Sequence, residues 1–424
     1  MTRKKPIFAL VDCNNFFVSC ERVFRPDLWE KPVAVLSNND ACIVARSNEV
    51  KEMGVPMGAP LFKIDHLMKG KDVTLFSANF RLYGDFSQRV VQILAQAAPE
   101  IEVYSVDESF LEISSLPLTD YEAWAKDLKA RIYQWTGIPV SIGIAPTKTL
   151  AKAASEFAKK TPESLGAHVV TEENREALLR WLSVGGVWGV GWRTAPTLQA
   201  RGVSTAWDLT QVSETWVQKH LSIRGLRTVR ELKGESCLPL ESVVEPQQSI
   251  ARTRSFGHNV RDYYQLEGAI ATFAAQAAVK LRAQQEIATG VMVFARTPHG
   301  FEGGRGSSTV VRLGQPTADT GELIAAALQG LQIIHDPDFA YRRAGVALIG
   351  LVSREAWQLS LLQDSSQLDK KTALMQSVDS LNTKYNTRLI RHASEHIQRT
   401  GWHSKHELRS PAYTTSWADL PTVR

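Results

Sequence analysis

The sequence predicts a multidomain α+β protein, on three observations. Its 424 residues are enough for about three domains of roughly 150 residues each. Apolar runs that end in acidic residues near positions 12 and 107 indicate a sheet that carries carboxylates at the ends of its strands. Residues 249–353 show strand and helix patterns in the order βαββαβ, which predicts a separate two-layer domain.

Composition and charge are those of an ordinary globular protein. The formal net charge of +5 is mild, so affinity for an anionic polymer must come from where the lysines and arginines lie. The four cysteines, Cys13, Cys20, Cys42 and Cys237, show no paired metal-ligand spacing and are too few for a disulfide framework. The apolar run behind the basic start contains Asp12 and is too short for a signal peptide or a membrane span. We therefore expect a protein of the reducing cytoplasm, without a membrane partner.

Three carboxylates mark the first candidate site. The apolar strand over residues 7–11 ends at Asp12, and a second pair of strands is joined at Asp107 and Glu108. Two adjacent side chains can share one target only where a strand turns or ends, because successive side chains otherwise point to opposite faces. Taken alone, an Asp-Glu dipeptide is most often a solvated turn. The second acid after a strand favours a site that holds two metal ions for phosphoryl or nucleotidyl transfer.

The flanks of the acidic pair predict two short buried strands. Val103 and Val106 precede the pair, and Phe110, Leu111 and Ile113 follow it, so we expect these apolar side chains to be buried. Carboxylates on one hairpin repel each other unless a cation lies between them. Oxygen ligands suit magnesium or manganese.

A helix over residues 148–160 follows a strand over residues 140–145. Its lysines Lys148, Lys152 and Lys159 fall at about 0°, 40° and 20° around the helix axis, opposite its apolar residues. A solvated helix face is one interpretation. The other is that the row meets a triphosphate or a nucleic acid backbone, because the helix leaves the sheet that holds the acids.

Two further patterns indicate contacts with nucleic acid. Glycines in residues 185–191, among them Gly189 and Gly191, predict a helix-hairpin-helix whose backbone N–H groups face a phosphate. After a linker at residues 236–248, the βαββαβ region carries arginines on its strands or loop. These are Arg252, Arg254, Arg296, Arg305 and Arg312.

The tail from residue 354 differs from the rest. A short apolar peptide with Gln358, Leu359, Leu361 and Leu362 predicts a docking segment for a partner groove. Past Leu381 the chain is rich in basic and polar residues, which predicts a weakly folded tail. The spacings of two histidine pairs, His392 with His396 and His403 with His406, would also permit a zinc site.

Four motifs together resemble those of the Y-family DNA polymerases, and the full length resembles the UmuC branch of that family. They are Asp-Cys-Asn-Asn-Phe-Phe at 12–17, Tyr-Ser-Val-Asp-Glu-Ser-Phe at 104–110, Gly-Ile-Ala-Pro-Thr-Lys-Thr-Leu-Ala-Lys at 143–152 and Val-Trp-Gly-Val-Gly at 187–191. The resemblance implies a right-hand polymerase with a ferredoxin-like palm, small fingers, a helical thumb and a βαββαβ little finger. The implied limits are palm 6–22 and 78–180, fingers 23–77, thumb 181–235, linker 236–248, little finger 249–353 and partner-binding tail 354–424.

The resemblance also implies a role for each matching residue. Asp12, Asp107 and Glu108 match the catalytic carboxylates, which hold two magnesium ions together with the carbonyl of Cys13. Phe17 matches the steric gate that excludes ribonucleotides, with Phe16 beside it under the base. Asn48, Lys51 and Lys159 match contacts to the incoming triphosphate, and the peptide from Gln358 to Leu362 resembles a sliding-clamp motif.

The implied function is error-prone translesion synthesis on primer-template DNA with deoxynucleoside triphosphates. The UmuC branch implies UmuD-type subunits and RecA as partners in the SOS response, in the bacterial cytoplasm at the nucleoid. Two alternatives stay open at the level of sequence. A palm-type nucleotidyl cyclase shares the layout of acids, and a non-catalytic DNA-binding subunit would share the basic surfaces.

Overall fold

The computed structural model describes most of the chain. The described residues are 5–68, 70–241, 247–298, 305–357, 365–385, 388–395 and 402–422. They belong to two compact units, the first made of Met1–Ser37, Ala41–Val244 and Leu408–Arg424, the second of Asn38–Asp40 and Glu245–Glu407. Within the described ranges, no helix combines the length and apolar character needed to cross a membrane.

The first unit combines two sheets with a set of helices. In chain order its elements are β1 (Phe8–Cys13), α1 (Phe16–Phe24), β2 (Val33–Leu36), β3 (Ile43–Arg46), α2 (Asn48–Glu52), α3 (Leu61–Met68), β4 (Thr74–Ser77), α4 (Phe80–Ala97), β5 (Glu100–Val103), β6 (Glu108–Glu112), α5 (Tyr121–Thr136), β7 (Val140–Ala145), α6 (Lys148–Lys160), β8 (Ala167–Val169), α7 (Arg175–Trp181), α8 (Thr194–Gln199), α9 (Ala206–Gln211) and α10 (Glu214–Leu232). The predicted strand before Asp12 and the predicted hairpin at Asp107 and Glu108 are both present, as β1 and as the antiparallel β5–β6 pair.

β1 lies at the centre of the larger sheet, whose strand order is β5-β6-β1-β7-β8. Its side chains alternate between two cores. Ala9 and Val11 pack in the core formed with α4 and α5, and Phe8 and Leu10 pack in the core formed with α6 and the helices that follow. Because both faces are covered, β1 is an uninterrupted apolar run that ends where the polar site begins.

The flanks of the acidic pair are less buried than predicted. Phe110, Leu111 and Ile113 are fully buried, but Val103 is 53% exposed and Val106 is 50% exposed. β5 is the edge strand of the sheet and Val106 lies in the turn before β6, which leaves both valines half exposed. The prediction that these two residues are buried is therefore wrong.

The smaller sheet has the order β3-β2-β4 and its own core, in which Leu36, Ile43 and Val50 are fully buried. It lies in the stretch predicted as fingers, and helices α8 to α10 lie in the stretch predicted as thumb. The residue limits of these domains stay predictions.

The second unit confirms the predicted βαββαβ order. Its elements are β9 (Ser249–Val260), α11 (Tyr263–Ala283), β10 (Glu286–Arg296), β11 (Gly306–Thr317), α12 (Thr320–Ile334), β12 (Tyr341–Ser353) and α13 (Ser365–Lys384). The sheet order is β11-β10-β12-β9, and α11 and α12 pack on one face of the sheet around a shared core. The strands are longer than the sequence patterns predicted.

The described part of the tail is more ordered than predicted. α13 is held to α11 by the guanidinium of Arg282, which contacts both oxygens of Asp379 at 2.7 and 2.8 Å. The segment from Leu408 onward packs within the first unit, where the ring of Tyr413 stacks on Phe24 with centroids 4.4 Å apart. The prediction of a weakly folded tail past Leu381 is wrong for the segment from Leu408 onward, because its partners lie far away in the sequence.

Candidate active site

Asp107 and Glu108 lie where the β5–β6 hairpin re-enters the sheet. Ser105 organises this turn. Its Oγ donates to Asp107 Oδ1 at 2.5 Å and accepts the backbone N–H groups of Asp107 and Glu108 at 3.2 and 2.9 Å. Both acidic residues are partly exposed. The turn thus presents two neighbouring carboxylates at one end of the sheet.

Asp12 lies beside this pair on the neighbouring strand. In the antiparallel ladder between β1 and β6, Asp12 is directly opposite Glu108. The N–H group of Cys13 donates to the carbonyl oxygen of Asp107 at 2.8 Å. Directly opposite residues in such a ladder have Cβ atoms about 5 Å apart. The backbone therefore brings three acids from distant parts of the sequence to one place.

Helix α6 supplies cations to these acids. The Nζ atom of Lys152 contacts the two carboxylate oxygens of Glu108 at 2.6 and 2.7 Å, and the Nζ atom of Lys159 lies 2.7 Å from Asp12 Oδ1. The predicted row of lysines is thus present on one helix face. It faces the carboxylates instead of forming a purely solvated surface.

The position of α6 depends on close packing against β7. A Cβ atom at Gly143 would lie 2.2 Å from the carbonyl oxygen of Ala151 and 2.2 Å from the backbone nitrogen of Ser155, so only glycine permits this approach. At the start of the helix, Lys148 is 3% exposed and contacts both oxygens of the buried Glu102 at 2.9 and 2.7 Å. Backbone contact and a buried ion pair together fix the lysines relative to the sheet.

The electrostatics of the site favour a cation. Burial raises the pKa of Asp12 to about 6 against the opposing effect of Lys159, and the charges of Glu108 and Asp107 raise it further. Burial alone would lower the pKa of Lys159, but the charge and the hydrogen bond of Asp12 raise it above its ordinary value. Without positive partners, the surroundings would therefore not stabilise the negative charge of all three acids.

The donor set fits a hard divalent cation in type and in charge, since three carboxylates offer only oxygen ligands. Among the residues that the structure describes, no group of three or more His, Cys, Asp or Glu side chains is arranged as a metal site. In this arrangement the lysine ammonium groups neutralise Glu108 and Asp12. Asp12, Asp107 and Glu108 are thus suitable ligands, and the protein itself balances the charge of two of them, Asp12 and Glu108.

A polar cluster next to the acids includes one residue that the sequence analysis missed. Asn15 has left-handed backbone angles, φ 48° and ψ 42°, which Asn tolerates better than most residues. Its Oδ1 accepts from Lys51 Nζ at 2.6 Å, and its Nδ2 donates to Asn48 Oδ1 at 3.1 Å. Burial lowers the pKa of Lys51, and the charges of Lys159 and Arg46 add to this effect. The structure thus brings Asn48, Lys51 and Lys159 together. A polar Asn at a helix start was the available signal for Asn15.

The two aromatic residues after the first acid differ in their environments. Phe16 is 3% exposed and packs in the core. Phe17 is only partly buried, and its ring stacks on Tyr83 with centroids 4.4 Å apart and planes 12° apart. Phe80 meets the ring of Phe17 edge-on at 5.9 Å. Phe17 therefore belongs to an aromatic cluster whose partners, on α4, were not singled out from the sequence.

The helix-hairpin-helix lies between α7 and α8. Gly189 has φ +89°, a conformation that favours glycine, and the carbonyl oxygen of Gly191 accepts the N–H groups of Thr194 and Ala195 at 2.9 and 3.0 Å. Apart from Gly191 itself and its two neighbours in the chain, no atom of the described residues lies within 4 Å of a Cβ built on Gly191. The hairpin therefore leaves space for another backbone to approach, which suits the predicted contact with a phosphate.

Two of the predicted DNA-binding arginines lie on the helix side of the second unit's sheet. In the ladder between β9 and β12, Arg252 is opposite Val346 and Arg254 is opposite Ala344, and both partners are fully buried in the core under the helices. The guanidinium of Arg254 lies 5.8 Å from the centroid of the Trp402 ring. Neither arginine therefore shares a face with Arg296.

Arg296 lies on the opposite, helix-free face of this sheet. The register places Arg296 opposite Arg343, and Arg312 opposite Gly290 on the same face. All three arginines are exposed. Arg343 was not singled out from the sequence, although the alternation of side chains along β12 places it on the face opposite the buried Ala344 and Val346.

Other predicted site residues lie in the tail. Gln358, Leu359, Leu361 and Leu362, the predicted clamp peptide, lie outside the described residues, as does His396. The described histidines at 392, 403 and 406 form no part of a metal-binding group within the described chain.

Family models match three parts of the chain. The impB/mucB/samB family matches residues 11–156, and the impB/mucB/samB family C-terminal domain matches residues 247–361. A domain of unknown function matches residues 372–423. The first two matches contain the three acids, Lys148 and Lys152 of α6, and the βαββαβ region, whereas Lys159 lies just past the end of the first match.

Curated relatives match over almost the full length. Protein ImpB of Salmonella typhimurium is 38% identical over 424 residues, which cover 99% of this chain and 100% of the relative. Protein UmuC of Salmonella typhimurium strain LT2 is 38% identical over 426 residues with the same coverage. DNA polymerase IV 1 of Bacillus subtilis strain 168 is 26% identical and covers 92% of this chain and 93% of the relative.

Solved structures share the fold. A Y-family DNA polymerase chimera, Dbh-Dpo4-Dbh, superposes with a TM-score of 0.65 at 21% identity and covers 82% of this chain and 100% of that one. DinB from Sulfolobus solfataricus gives a TM-score of 0.54 at 21% identity with the same coverage. These similarities confirm the right-hand polymerase fold implied by the motifs. The chain belongs to the impB/mucB/samB family, of the UmuC type, and has the fold of the Y-family DNA polymerases.

Proposed function

We propose that this protein is an error-prone translesion DNA polymerase that adds deoxynucleotides to a primer opposite damaged template. The observation that carries the proposal is the position of Asp12 directly opposite Glu108, with Asp107 in the adjoining turn. A nucleotidyl-transfer site needs such a group of carboxylates next to cationic side chains that accept a triphosphate. Lys51 and Lys159 supply those cations, and their charges interact with each other and with Asp12.

Different residues would have different roles in the reaction. Asp12, Asp107 and Glu108, with the carbonyl of Cys13, would hold two magnesium ions, and these ions would supply Lewis acidity toward a primer 3′-hydroxyl and positive charge toward the leaving pyrophosphate. Lys159 and Lys51 orient the triphosphate and balance its charge. Asn15 and Asn48 fix the Lys51 ammonium by hydrogen bonds.

Two side chains would select the sugar and the base. Phe17 presents a partly exposed ring on which a 2′-hydroxyl would clash, so deoxyribose is preferred. Phe16 is buried beside Phe17, with ring centroids 5.9 Å apart, and supports the nucleotide from below. A steric gate of this kind discriminates by excluding an extra hydroxyl group, and it leaves base selection to pairing with the template.

Two surfaces would hold the DNA. The hairpin with Gly189 and Gly191 offers backbone N–H groups to a phosphate, and the helix-free face with Arg296, Arg312 and Arg343 offers three guanidinium groups to the backbone. This assignment replaces Arg252 and Arg254, which lie on the helix side. A nucleotidyl cyclase has no use for either surface.

The proposal includes a cellular role and partner proteins. The support is the 38% identity with the protein named UmuC over nearly the whole chain. We assign the polymerase to the SOS response in the bacterial cytoplasm at the nucleoid, with UmuD-type subunits, RecA and the sliding clamp as partners. The clamp would bind the peptide that includes Gln358 and Leu362.

Primer extension tests the proposal. We expect magnesium-dependent extension on damaged template by the full chain, with a UmuD-type partner and an activated RecA filament present. Asp107→Asn should reduce the rate by roughly a thousandfold, which corresponds to about 4 kcal/mol of lost transition-state stabilisation. DNA binding, measured by fluorescence anisotropy, should persist. Asp127→Asn, an exposed change on α5, is the matched control, and extension by Asp107→Asn at the control rate would overturn the metal assignment.

A further inference from the structure

The C-terminal segment Leu408–Tyr413 attaches to the edge of the smaller sheet. Within the first unit, the N–H group of Ser77 donates to the carbonyl oxygen of Leu408 at 3.0 Å, and the N–H group of Leu408 donates to Ser77 Oγ at 2.9 Å. Ser77 and Arg409 form a parallel bridge next to β4. The segment therefore covers a strand edge just before the chain enters α4.

The same segment fixes the start of α4. Asn79, the residue before this helix, is 2% exposed. Its Nδ2 donates to Ser410 Oγ at 3.0 Å and to the carbonyl oxygens of Ser410 and Pro411 at 3.4 Å. Arg409 Nη2 donates to Asn79 Oδ1 at 3.2 Å. Buried amide groups that are satisfied in this way hold one geometry, because leaving them unpaired is costly.

A buried carboxylate connects this segment to Tyr83 on α4. The Oε1 atom of Glu21 accepts from Ser410 Oγ at 3.1 Å and from the hydroxyl of Tyr83 at 2.7 Å. Glu21 is 0% exposed, and its second oxygen has no hydrogen-bond partner among the described residues. Both hydroxyl groups therefore converge on a single acceptor atom, so losing either donor leaves the Glu21 carboxylate, and with it the other hydroxyl group, less firmly positioned.

Tyr83 connects Glu21 to Phe17, the residue that is proposed to select the sugar. Its ring lies almost parallel to the ring of Phe17, with centroids 4.4 Å apart. Rings stacked at this distance are in van der Waals contact, so a tilt of the Tyr83 ring displaces the ring of Phe17. A contact path thus leads from Ser410 through Glu21 and Tyr83 to Phe17.

We propose that the C-terminal segment Leu408–Tyr413 positions Phe17 for sugar selection, acting through Glu21 and Tyr83. The inference rests on the proposed function of Phe17 as the steric gate. Glu21, Tyr83 and Ser410 are positioning residues, since none of them is assigned a contact with the nucleotide. When the path is broken, the ring of Phe17 gains freedom to tilt and leaves room for a 2′-hydroxyl group.

The test compares kcat/KM for one deoxynucleotide and the matching ribonucleotide in the full chain. Tyr83→Phe keeps the stacked ring and removes only the hydroxyl, and Ser410→Ala removes the other donor. In each variant, sugar discrimination should fall by about threefold to tenfold, the factor expected for one hydrogen bond. The ribonucleotide value should rise while the deoxynucleotide value stays within about twofold of wild type. In the double variant, sugar discrimination should fall by less than the product of the two single factors, because both changes break the same path.

Controls separate this inference from the proposed function. Trp417→Ala, at a side chain that is 91% exposed beyond the end of this segment, should leave discrimination unchanged. If Phe17→Ala does not admit ribonucleotides, the steric-gate assignment itself fails. If Phe17→Ala admits them but Tyr83→Phe and Ser410→Ala both discriminate like wild type, only the positioning role is overturned. An equal loss of activity with both sugars would also overturn it, since that result indicates a general structural role.

Discussion

The ammonium group of Lys152 contacts both carboxylate oxygens of Glu108, at 2.6 and 2.7 Å. Glu108 is also one of the three acids proposed to hold magnesium. A lysine and a metal ion would therefore compete for the same oxygens, and a fixed positive charge so close by weakens the attraction for a second cation. The protein thus carries its own counterion at the proposed metal site.

This competition predicts the effect of removing the lysine. Lys152→Met should lower the magnesium concentration for half-maximal primer extension by about threefold to tenfold, because one positive charge leaves the site. The measurement is a magnesium titration of the extension rate. Lys160→Met, which removes an exposed lysine from the same helix, should leave the titration unchanged. A higher magnesium requirement in Lys152→Met would show that the lysine instead helps to form the metal site.

The contact between Gly143 and α6 predicts a second result. Gly143→Ala places a methyl group 2.2 Å from backbone atoms of the helix, so α6 must shift and carry Lys152 and Lys159 with it. We expect a loss of about 1–3 kcal/mol in the free energy of unfolding, together with slower primer extension. Denaturant unfolding and initial rates measure the two effects.

Gly84→Ala is the matched control for this change. Apart from Gly84 itself, its two neighbours in the chain and the nearby backbone of α4, no atom of the described residues lies within 4 Å of a Cβ at this position. There the substitution should stabilise the protein by about 0.5–1 kcal/mol, since alanine favours a helix. Equal stability of Gly143→Ala and wild type would contradict the close approach of α6 to the sheet.

The two faces of the second unit's sheet predict different effects on DNA binding. Arg343→Ala, on the helix-free face, should weaken DNA binding. It should also reduce the slope of log Kd against log salt concentration by about the amount that one lost phosphate contact accounts for. Arg252→Ala, on the helix side, should leave both the affinity and the slope near wild type. Fluorescence anisotropy over a salt series distinguishes the two. A larger effect at Arg252 would assign the DNA to the opposite face.

The sequence was most informative where a local pattern determines the structure. The apolar run before Asp12 and the turn at Asp107 and Glu108 could be placed because alternation and interruption of apolar residues identify strands and their ends. The helical spacing of Lys152 and Lys159 also put them correctly on one face. Their partners, Glu108 and Asp12, depend on how α6 crosses the sheet, which no local pattern encodes.

Long-range contacts explain what the sequence analysis missed. Ser410 and Glu21 are 389 positions apart, and nothing in the polar C-terminal composition indicates that this serine reaches a buried carboxylate. The half-exposed Val103 was misjudged for a related reason. A β-branched residue in a strand is buried only if another element covers it, and β5 lies at the edge.

The buried Glu21 predicts how stability depends on pH. Burial raises the pKa of Glu21 above its ordinary value of 4.5, although the hydrogen bonds from Tyr83 and Ser410 and the charge of Arg409 oppose the rise. Above pH 4.5 the unfolded chain releases this proton before the folded protein does. The contribution of Glu21 to the free energy of unfolding therefore falls as the pH rises, until the raised pKa is passed and both states are ionised.

Glu21→Gln removes this titration while keeping the size of the side chain and an oxygen acceptor. The free energy of unfolding of the variant minus that of wild type should increase as the pH rises from about 4.5, and then become constant once Glu21 is ionised in both states. Denaturant unfolding of the full chain over a pH series, followed by tryptophan fluorescence, measures the difference. Glu122→Gln, at an exposed residue of α5, should give a nearly constant difference over the same series. A constant difference for Glu21→Gln as well would mean that Glu21 has the same pKa in the folded and unfolded chain, and that the carboxylate which links Ser410 to Tyr83 is effectively hydrated.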